Sequence, residues 1–214
     1  MKICCIASLE EARLAVRAGA SAVGLVSEMP SGPGVIPESR IAEIAAGVPP
    51  EVETFLLTSR RSPEEIIAQH RRCRTTTIQL CDRLPPGTLS ALRRALPGVS
   101  LVQVIHVTGP EAVEEAREVG PSVDALLLDS GRPSAAVKEL GGTGRVHDWT
   151  VSREIRSAVD VPVYLAGGLR PENVPHAART VRPYGVDVCS GLRVDGRLDD
   201  DLLGAFMTAV REGV

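Results

Sequence analysis

The stretch Ala125-Leu126-Leu127-Leu128-Asp129 indicates the fold of this chain. Four apolar residues stand in a row, and an acidic residue follows them directly. A strand with one solvent-facing side alternates apolar and polar residues, whereas a parallel strand covered by helices reads as a continuous apolar run. The stretch therefore predicts a buried parallel strand that ends at Asp129.

The same unit, a short apolar strand followed by an Ala-, Glu- and Arg-rich helical run, recurs eight times along the 214 residues. The predicted strands span residues 2–6, 22–26, 51–57, 75–80, 100–106, 123–129, 161–166 and 185–189. The predicted helices span residues 9–18, 37–46, a run that begins at 62–65, 88–96, 110–119, 150–158, 171–181 and 199–210. Ser8, with Glu11 three residues later, predicts a capping box at the first helix.

Strict alternation of strands and helices predicts that the strands pair in parallel. Eight such units in this length fit a single (β/α)8 TIM barrel, a fold that begins at about 200 residues. The alternative is an open, doubly wound sheet. No linker, charge block or low-complexity segment indicates a second domain, so one barrel domain over residues 1–214 is expected.

Composition argues against several classes of function. Aromatic residues are 2% of the chain and the net charge is −3, so neither base-stacking platforms nor a basic field for nucleic acid is expected. No apolar run reaches the roughly 18 residues of a membrane span, and the N-terminus turns polar too soon for a signal peptide. The five cysteines are odd in number and irregularly spaced, which predicts a cytoplasmic protein with free thiols.

In a (β/α)8 barrel the site lies at the carboxyl ends of the strands. Glycines gather there in the loops after the sixth, seventh and eighth strands, and glycine lets an anion approach backbone N–H groups. This pattern predicts a phosphate site, although each glycine pair taken alone is also typical of a tight turn. The candidate phosphate residues are Gly142, Gly144, Gly167, Gly168, Ser190 and Gly191.

Titratable residues also follow the strands. Asp129 lies at the mouth of an apolar strand, where it is either a functional carboxyl or a cap of the next loop. Cys4 and Cys5 are adjacent, so one side chain is expected to face the barrel mouth and the other the helices. A zinc site is not expected, since the candidate ligands Cys4, Cys81, His106 and Cys189 lie on opposite walls of the barrel and zinc ligands must converge on one point.

Several stretches, in order and spacing, resemble the phosphoribosylanthranilate isomerase family along nearly the whole chain. They are Lys2-Ile3-Cys4, Leu127-Leu128-Asp129-Ser130, Gly141-Gly142-Thr143-Gly144 with Asp148-Trp149, Leu165-Ala166-Gly167-Gly168-Leu169 with Pro171-Glu172-Asn173-Val174, and Val186-Asp187-Val188 with Ser190-Gly191. The resemblance implies an Amadori rearrangement in tryptophan biosynthesis. In that reaction an N-(5′-phosphoribosyl) amine becomes a 1-amino-1-deoxyribulose 5-phosphate, with no metal and no organic cofactor.

The resemblance implies that Cys4 is the general base and Asp129 the general acid, and that the glycine loops bind the substrate phosphate. Further candidate contacts to the substrate are Cys5, Gln79, Cys81, His106 and Asp187. The expected partner is a phosphorylated small molecule, with no nucleic acid and no membrane. The chain is expected to be a monomer or a homodimer.

The chain departs from the family pattern where the substrate's aromatic carboxylate is expected. Cys5 takes the place of a glycine, and the Ser-Pro-Arg motif of the family, with its arginine, is replaced by Ser31-Gly32-Pro33-Gly34-Val35. The family's Gln-Leu-His-Gly is replaced by Gln79-Leu80-Cys81-Asp82, and its Gly-Val-Glu by Gly191-Leu192-Arg193. Loss of a charge-assisted contact weakens binding. Either another arginine, such as Arg60 or Arg61, replaces it, or the chain is a paralogue that isomerises a different phosphorylated substrate. A barrel that only binds a phosphosugar is a third alternative.

Overall fold

Eight parallel strands close into a barrel in the order β1 to β8, with β8 paired to β1, in a computed structural model that describes residues 1–213. The strands are β1 (Lys2–Ile3), β2 (Ala22–Val26), β3 (Glu53–Thr58), β4 (Thr77–Leu80), β5 (Ser100–His106), β6 (Ala125–Asp129), β7 (Val163–Leu165) and β8 (Gly185–Val188). The predicted (β/α)8 barrel is confirmed, and the alternative of an open sheet is wrong.

Eight α-helices within residues 1–213 surround the barrel. They are α1 (Leu9–Arg17), α2 (Glu38–Gly47), α3 (Pro63–Cys73), α4 (Thr88–Ala95), α5 (Glu111–Val119), α6 (Trp149–Ala158), α7 (Val174–Val181) and α8 (Asp200–Gly213). None of these helices in residues 1–213 is both long and apolar enough to cross a membrane. A short antiparallel pair that the sequence did not predict, β9 (Arg193–Val194) and β10 (Arg197–Leu198), precedes α8.

The first strand is shorter than predicted. It ends at Ile3, because Cys5 adopts a left-handed backbone conformation with φ of 61° and the chain turns away from the strand direction. The turn keeps two bonds to the neighbouring strands: the Cys4 N–H donates to the Val188 carbonyl oxygen at 2.8 Å, and the Ile6 N–H to the Gly24 carbonyl oxygen at 3.0 Å. The end of β1 is therefore held between β2 and β8.

The apolar stretch of β6 fills two layers of the core. Leu126 and Leu128 pack in the layer between the barrel and the helices, whereas Ala125 and Leu127 pack inside the barrel. Successive side chains of a strand point to opposite faces, and here both faces are buried, so both need apolar residues. Asp129 continues the inward-facing set and reaches the carboxyl end of the barrel.

The capping box predicted for α1 forms in part. The Glu11 N–H donates to the Ser8 side chain at 3.2 Å, which confirms Ser8 as the N-cap. The Glu11 carboxylate accepts from the Ala7 N–H at 3.0 Å instead of returning to Ser8. It also pairs with Arg193 at 3.0 Å, so α1 is tied to the segment that follows β8.

We predict that Leu126→Ala lowers the free energy of unfolding by about 2–5 kcal/mol, because it leaves a cavity in the fully buried layer between barrel and helices. Val137 is the matched control: it is 62% exposed, and Val137→Ala should change stability by less than about 0.5 kcal/mol. Urea unfolding followed by circular dichroism measures both variants. Equal losses in the two would contradict the assignment of Leu126 to the core.

Candidate active site

A cavity of about 670 Å³, including its open mouth, lies at the carboxyl ends of the strands. Its walls come from the ends of β2, β3, β4, β6 and β8, from the turn after β1, and from the loops after β2, β6, β7 and β8. The predicted site residues that line it are Cys4, Cys5, Gln79, Cys81, Asp129, Gly142, Gly144, Gly167, Gly168, Asp187 and Ser190. His106 and Gly191 do not line it, so the structure gathers all but two of the predicted residues.

Cys4 presents a buried free thiol to this cavity. Burial raises the pKa of the thiol to about 11, although the nearby Lys2 charge opposes this rise. A thiol acts as a base only as the thiolate. Chemistry at Cys4 therefore depends on whatever stabilises negative charge at its sulfur.

Asp129 ends β6 and lines the same cavity. Burial raises the pKa of its carboxyl, while the Ser130 backbone N–H, which donates to Oδ1 at 2.7 Å, works in the opposite direction. A carboxyl with a raised pKa holds its proton nearer to neutral pH, as a general acid must. Thus the barrel brings together a candidate acid and a candidate base that are far apart in sequence.

The glycine loops after β6, β7 and β8 touch one another. Gly168 has φ of 63°, and a Cβ there would lie 2.6 Å from the Arg145 carbonyl carbon. A Cβ at Gly191 would overlap the Leu169 carbonyl oxygen. The backbone N–H groups of Gly168 and Gly191 donate to no protein acceptor within residues 1–213. Gly168 lines the cavity and Gly191 packs on Leu169 outside its lining. Glycine in such loops lets an anion approach the backbone closely.

The remaining predicted contacts divide into two groups. Gln79 and Cys81 lie on the cavity wall, and burial raises the pKa of the Cys81 thiol well above its ordinary value. The His106 ring instead lies outside it, with Nε2 2.9 Å from the Cys81 carbonyl oxygen. Asp187 lines the cavity and pairs with Lys2 at 2.8 Å. Within the described chain, no three His, Cys, Asp or Glu side chains form a group that could hold a metal ion.

Cys5 corrects two predictions. It was expected to point away from Cys4, yet both line the cavity, because the left-handed turn at Cys5 breaks the strand alternation. It was also expected to be a free thiol, but Cys5 and Cys189 form a disulfide with their Cα atoms 5.8 Å apart. Sequence spacing did not show this pair, because only the closure of β8 onto β1 brings these residues together. Cys4, Cys73 and Cys81 are free.

The departure at Gly34 has a steric cause. Gly34 has φ of 81°, and a Cβ there would lie 2.5 Å from the Cys5 Cβ. Cys5 therefore occupies the space that a side chain at position 34 would need. Arg60 and Arg61, the candidates to replace the missing arginine, do not line the cavity. Arg60 lies 3.7 Å from Glu38, and the Arg61 Nε donates to the Arg83 carbonyl oxygen at 2.9 Å. No lysine or arginine is among the described residues that line the cavity.

Two residues outside the predicted set of site residues, Arg193 and Lys2, lie close to Cys4. Arg193 donates to the Cys4 carbonyl oxygen at 3.3 Å and also to that of Cys5. Lys2 is fully buried inside the barrel. The sequence itself points to Lys2, because it is one of only two lysines and precedes Cys4 by two residues. In a strand this spacing places both side chains on the same face. The role of Arg193 depends on the turn at Cys5 and had no such signal.

A parallel (β/α)8 barrel with a buried thiol, a carboxyl of raised pKa and glycine loops around one cavity is typical of enzymes that act on phosphorylated small molecules. The family model described as N-(5′-phosphoribosyl)anthranilate (PRA) isomerase matches residues 1–209. The chain belongs to this family.

Individual relatives agree with the family match. An N-(5′-phosphoribosyl)anthranilate isomerase of Methanocella arvoryzae is 37% identical over 212 residues, which cover 99% of this chain and 97% of the relative. The crystal structure of phosphoribosyl anthranilate isomerase from Thermus thermophilus aligns with a TM-score of 0.83 at 28% identity, over 98% of this chain and 97% of the other. A further phosphoribosyl anthranilate isomerase was solved in complex with reduced 1-(o-carboxyphenylamino)-1-deoxyribulose 5-phosphate; it aligns with a TM-score of 0.80 at 27% identity, over the same shares of the two chains.

We predict that Gly34→Ala destabilises the protein more than Gly196→Ala. Both glycines have a positive φ, so both variants carry a backbone cost of about 1–2 kcal/mol. Only position 34 adds a clash, with Cys5, since nothing lies within 4 Å of a Cβ at Gly196. Thermal unfolding measures the difference. An equal loss in the two variants would show that Cys5 does not block position 34.

Proposed function

We propose that this chain converts N-(5′-phosphoribosyl)anthranilate into 1-(o-carboxyphenylamino)-1-deoxyribulose 5-phosphate, an aldose–ketose isomerisation of tryptophan biosynthesis. The observation that carries the proposal is the meeting of Cys4 and Asp129 on one cavity whose wall also holds the glycine loops. Family membership and the names of the relatives support the same reaction.

Asp129 acts first, as the general acid. It donates its proton to the ribose ring oxygen, the bond from C1′ to that oxygen breaks, and the nitrogen lone pair forms a double bond to C1′, which gives an iminium ion. Burial supports this role, because a raised pKa keeps the carboxyl protonated closer to neutral pH. The Ser130 N–H, which donates to Oδ1, orients the group and supports the carboxylate that remains.

Cys4 acts next, as the general base. Its thiolate removes the proton from C2′, the C–H electron pair forms a double bond between C2′ and C1′, and the iminium nitrogen becomes an amine. The resulting enolamine tautomerises to the ketone at C2′ as C1′ gains a proton and the C2′ hydroxyl loses its proton. The two side chains come from β1 and β6, which are not neighbours in the barrel, so they reach the substrate from different sides.

The phosphate anchors the substrate for both steps. Gly167, Gly168 and Ser190 line the cavity from the loops after β7 and β8, and Gly142 and Gly144 line it from the loop after β6. Their backbone N–H groups are the proposed phosphate ligands. A bound phosphate holds C1′ and C2′ at a fixed distance from the loops. Such positioning lowers the activation barrier, because the substrate has already lost its translational and rotational freedom on binding. Gly191 supports the cradle from behind through its close packing on Leu169.

A second candidate is isomerisation of a phosphoribosyl amine without an aromatic carboxylate. The observation that favours it is the aglycone end of the cavity, where Gly34 has no room for a side chain and no cationic side chain replaces it in the described wall. Met29, Pro33 and Leu140 line this end instead. The two candidates share the acid, the base and the phosphate site, and they differ only in what the cavity accepts beyond the ribose.

We propose that residues 1–214 work as one barrel domain, as a monomer or a homodimer in the cytoplasm, on a phosphorylated small molecule.

We predict that the gene restores growth without tryptophan to an auxotroph that lacks the isomerase, and that Cys4→Ser and Asp129→Asn each abolish this rescue. Each variant removes one proton-transfer group, a loss of about 10²–10⁴-fold in rate. Purified protein assayed with phosphoribosylanthranilate should show the same losses in kcat.

Matched controls use the same chemical changes away from the cavity. Cys73 is buried outside the barrel interior, and Asp124 pairs with Arg93 at 2.6 Å on the surface, so Cys73→Ser and Asp124→Asn should retain rescue. Near-normal turnover in Cys4→Ser or Asp129→Asn would sink the assignment of roles. A stable wild-type protein that does not rescue, yet binds a ribulose-phosphate product analogue tightly, would favour the second candidate.

A further inference from the structure

A buried lysine lies beneath the candidate base. Lys2 is on β1, two residues before Cys4, so both side chains project into the barrel interior. Its exposure is 0%. The acid–base steps of the proposed mechanism do not use it, and a fully buried lysine is rare unless its charge is paired.

Two measurements place its ammonium between the base and the strand β8. The Lys2 Nζ lies 2.8 Å from Asp187 Oδ2. A Cβ built at Gly24 would lie 2.8 Å from Cys4 Sγ and 3.0 Å from Lys2 Nζ. The sulfur and the ammonium are therefore within about 6 Å of each other, a range in which an opposite charge stabilises an ionised group.

Stability alone does not explain this ion pair. Apolar residues of similar volume often replace a buried pair without loss of stability, since both charges must be stripped of water. Burial by itself would lower the pKa of Lys2, but Asp187 and Cys4 outweigh it and the pKa is raised. Lys2 thus carries its charge throughout the pH range in which an enzyme works.

We propose that Lys2 is the positioning residue for the base step: its ammonium, aimed by Asp187, stabilises the thiolate of Cys4. The inference rests on the proposed function, since it assumes that Cys4 removes the C2′ proton. When the thiolate takes that proton it becomes a neutral thiol. The pair supplies an electrostatic environment and exchanges no proton with the substrate.

Other charged groups face the same region and do not supply this charge. Asp187 from β8 and Asp129 from β6 carry carboxyl groups, and Tyr164 from β7 and Cys81 after β4 carry a phenol and a thiol. None of these groups can carry a positive charge. Arg193 contacts the backbone carbonyl of Cys4, not its sulfur, and is matched by Glu11. Lys2 is the one cation that acts on the Cys4 thiol among the described groups.

The test is the pH dependence of Cys4 alkylation by iodoacetamide, a neutral reagent that reacts with the thiolate. The rate in Cys4→Ser is subtracted to remove the other cysteines. Lys2→Met should move the alkylation midpoint upward by about one pH unit or more, with kcat reduced about tenfold or more and KM changed little. Lys2→Arg keeps the charge and should restore most of both.

Lys138→Met is the matched control, because Lys138 is the only other lysine in the chain and its side chain is 41% exposed. It should leave the alkylation midpoint and kcat unchanged. If Lys2→Met fails to fold, the double variant Lys2→Met/Asp187→Asn removes both charges at once and should still move the midpoint upward, by a smaller amount.

Two results separate the inference from the proposed function. If Cys4→Ser is inactive but Lys2→Met keeps the wild-type alkylation midpoint and kcat, the role of Lys2 is wrong and that of Cys4 stands. If Cys4→Ser itself is fully active, the proposed base is wrong. A loss of kcat in Lys2→Met with an unshifted midpoint would show a structural role only and would also overturn the inference.

Discussion

The closure of the barrel between β1 and β8 is the constraint on which the rest of the site depends. Lys2 and Asp187 occupy paired positions across this seam, and their ion pair is buried. Removal of one partner of such a pair costs about 3–5 kcal/mol, because the other charge is left without compensation. The pairing of β1 with β8 fixes the register of β1. That register places Cys4 at the cavity and Cys5 next to Cys189.

The two ends of the cavity are built by different physical means. At the end proposed to bind the phosphate, the loops after β6, β7 and β8 approach so closely that Gly168 and Gly191 leave no space for a Cβ. At the aglycone end the walls are apolar side chains, with the disulfide of Cys5 where a residue at position 34 would project. The proposed phosphate end therefore depends on glycine, whereas side chains line the proposed aglycone end.

Much of the fold could be predicted from the sequence, because it follows from local patterns. The apolar run before Asp129 predicts a doubly covered strand, and eight repeats of the same unit predict the closed barrel; topology then brings Cys4 and Asp129 to one edge. The disulfide, the turn at Cys5 and the contacts of Arg193 could not be predicted, since they depend on a left-handed backbone residue and on closure between residues 184 positions apart. The roles of Cys4 and Asp129 came from family resemblance, because strand position alone did not distinguish a base from a buried apolar thiol.

The central claim is that one substrate lies with its phosphate in the glycine loops and its ribose between Cys4 and Asp129. The most direct measurement is a crystal structure of this protein with reduced 1-(o-carboxyphenylamino)-1-deoxyribulose 5-phosphate. We expect the phosphate oxygens to lie within hydrogen-bond distance of the Gly168 and Ser190 N–H groups. The Cys4 sulfur should face C2′, and the Asp129 carboxyl should lie on the other side of the sugar. A phosphate bound elsewhere, or a sugar out of reach of either side chain, would contradict it.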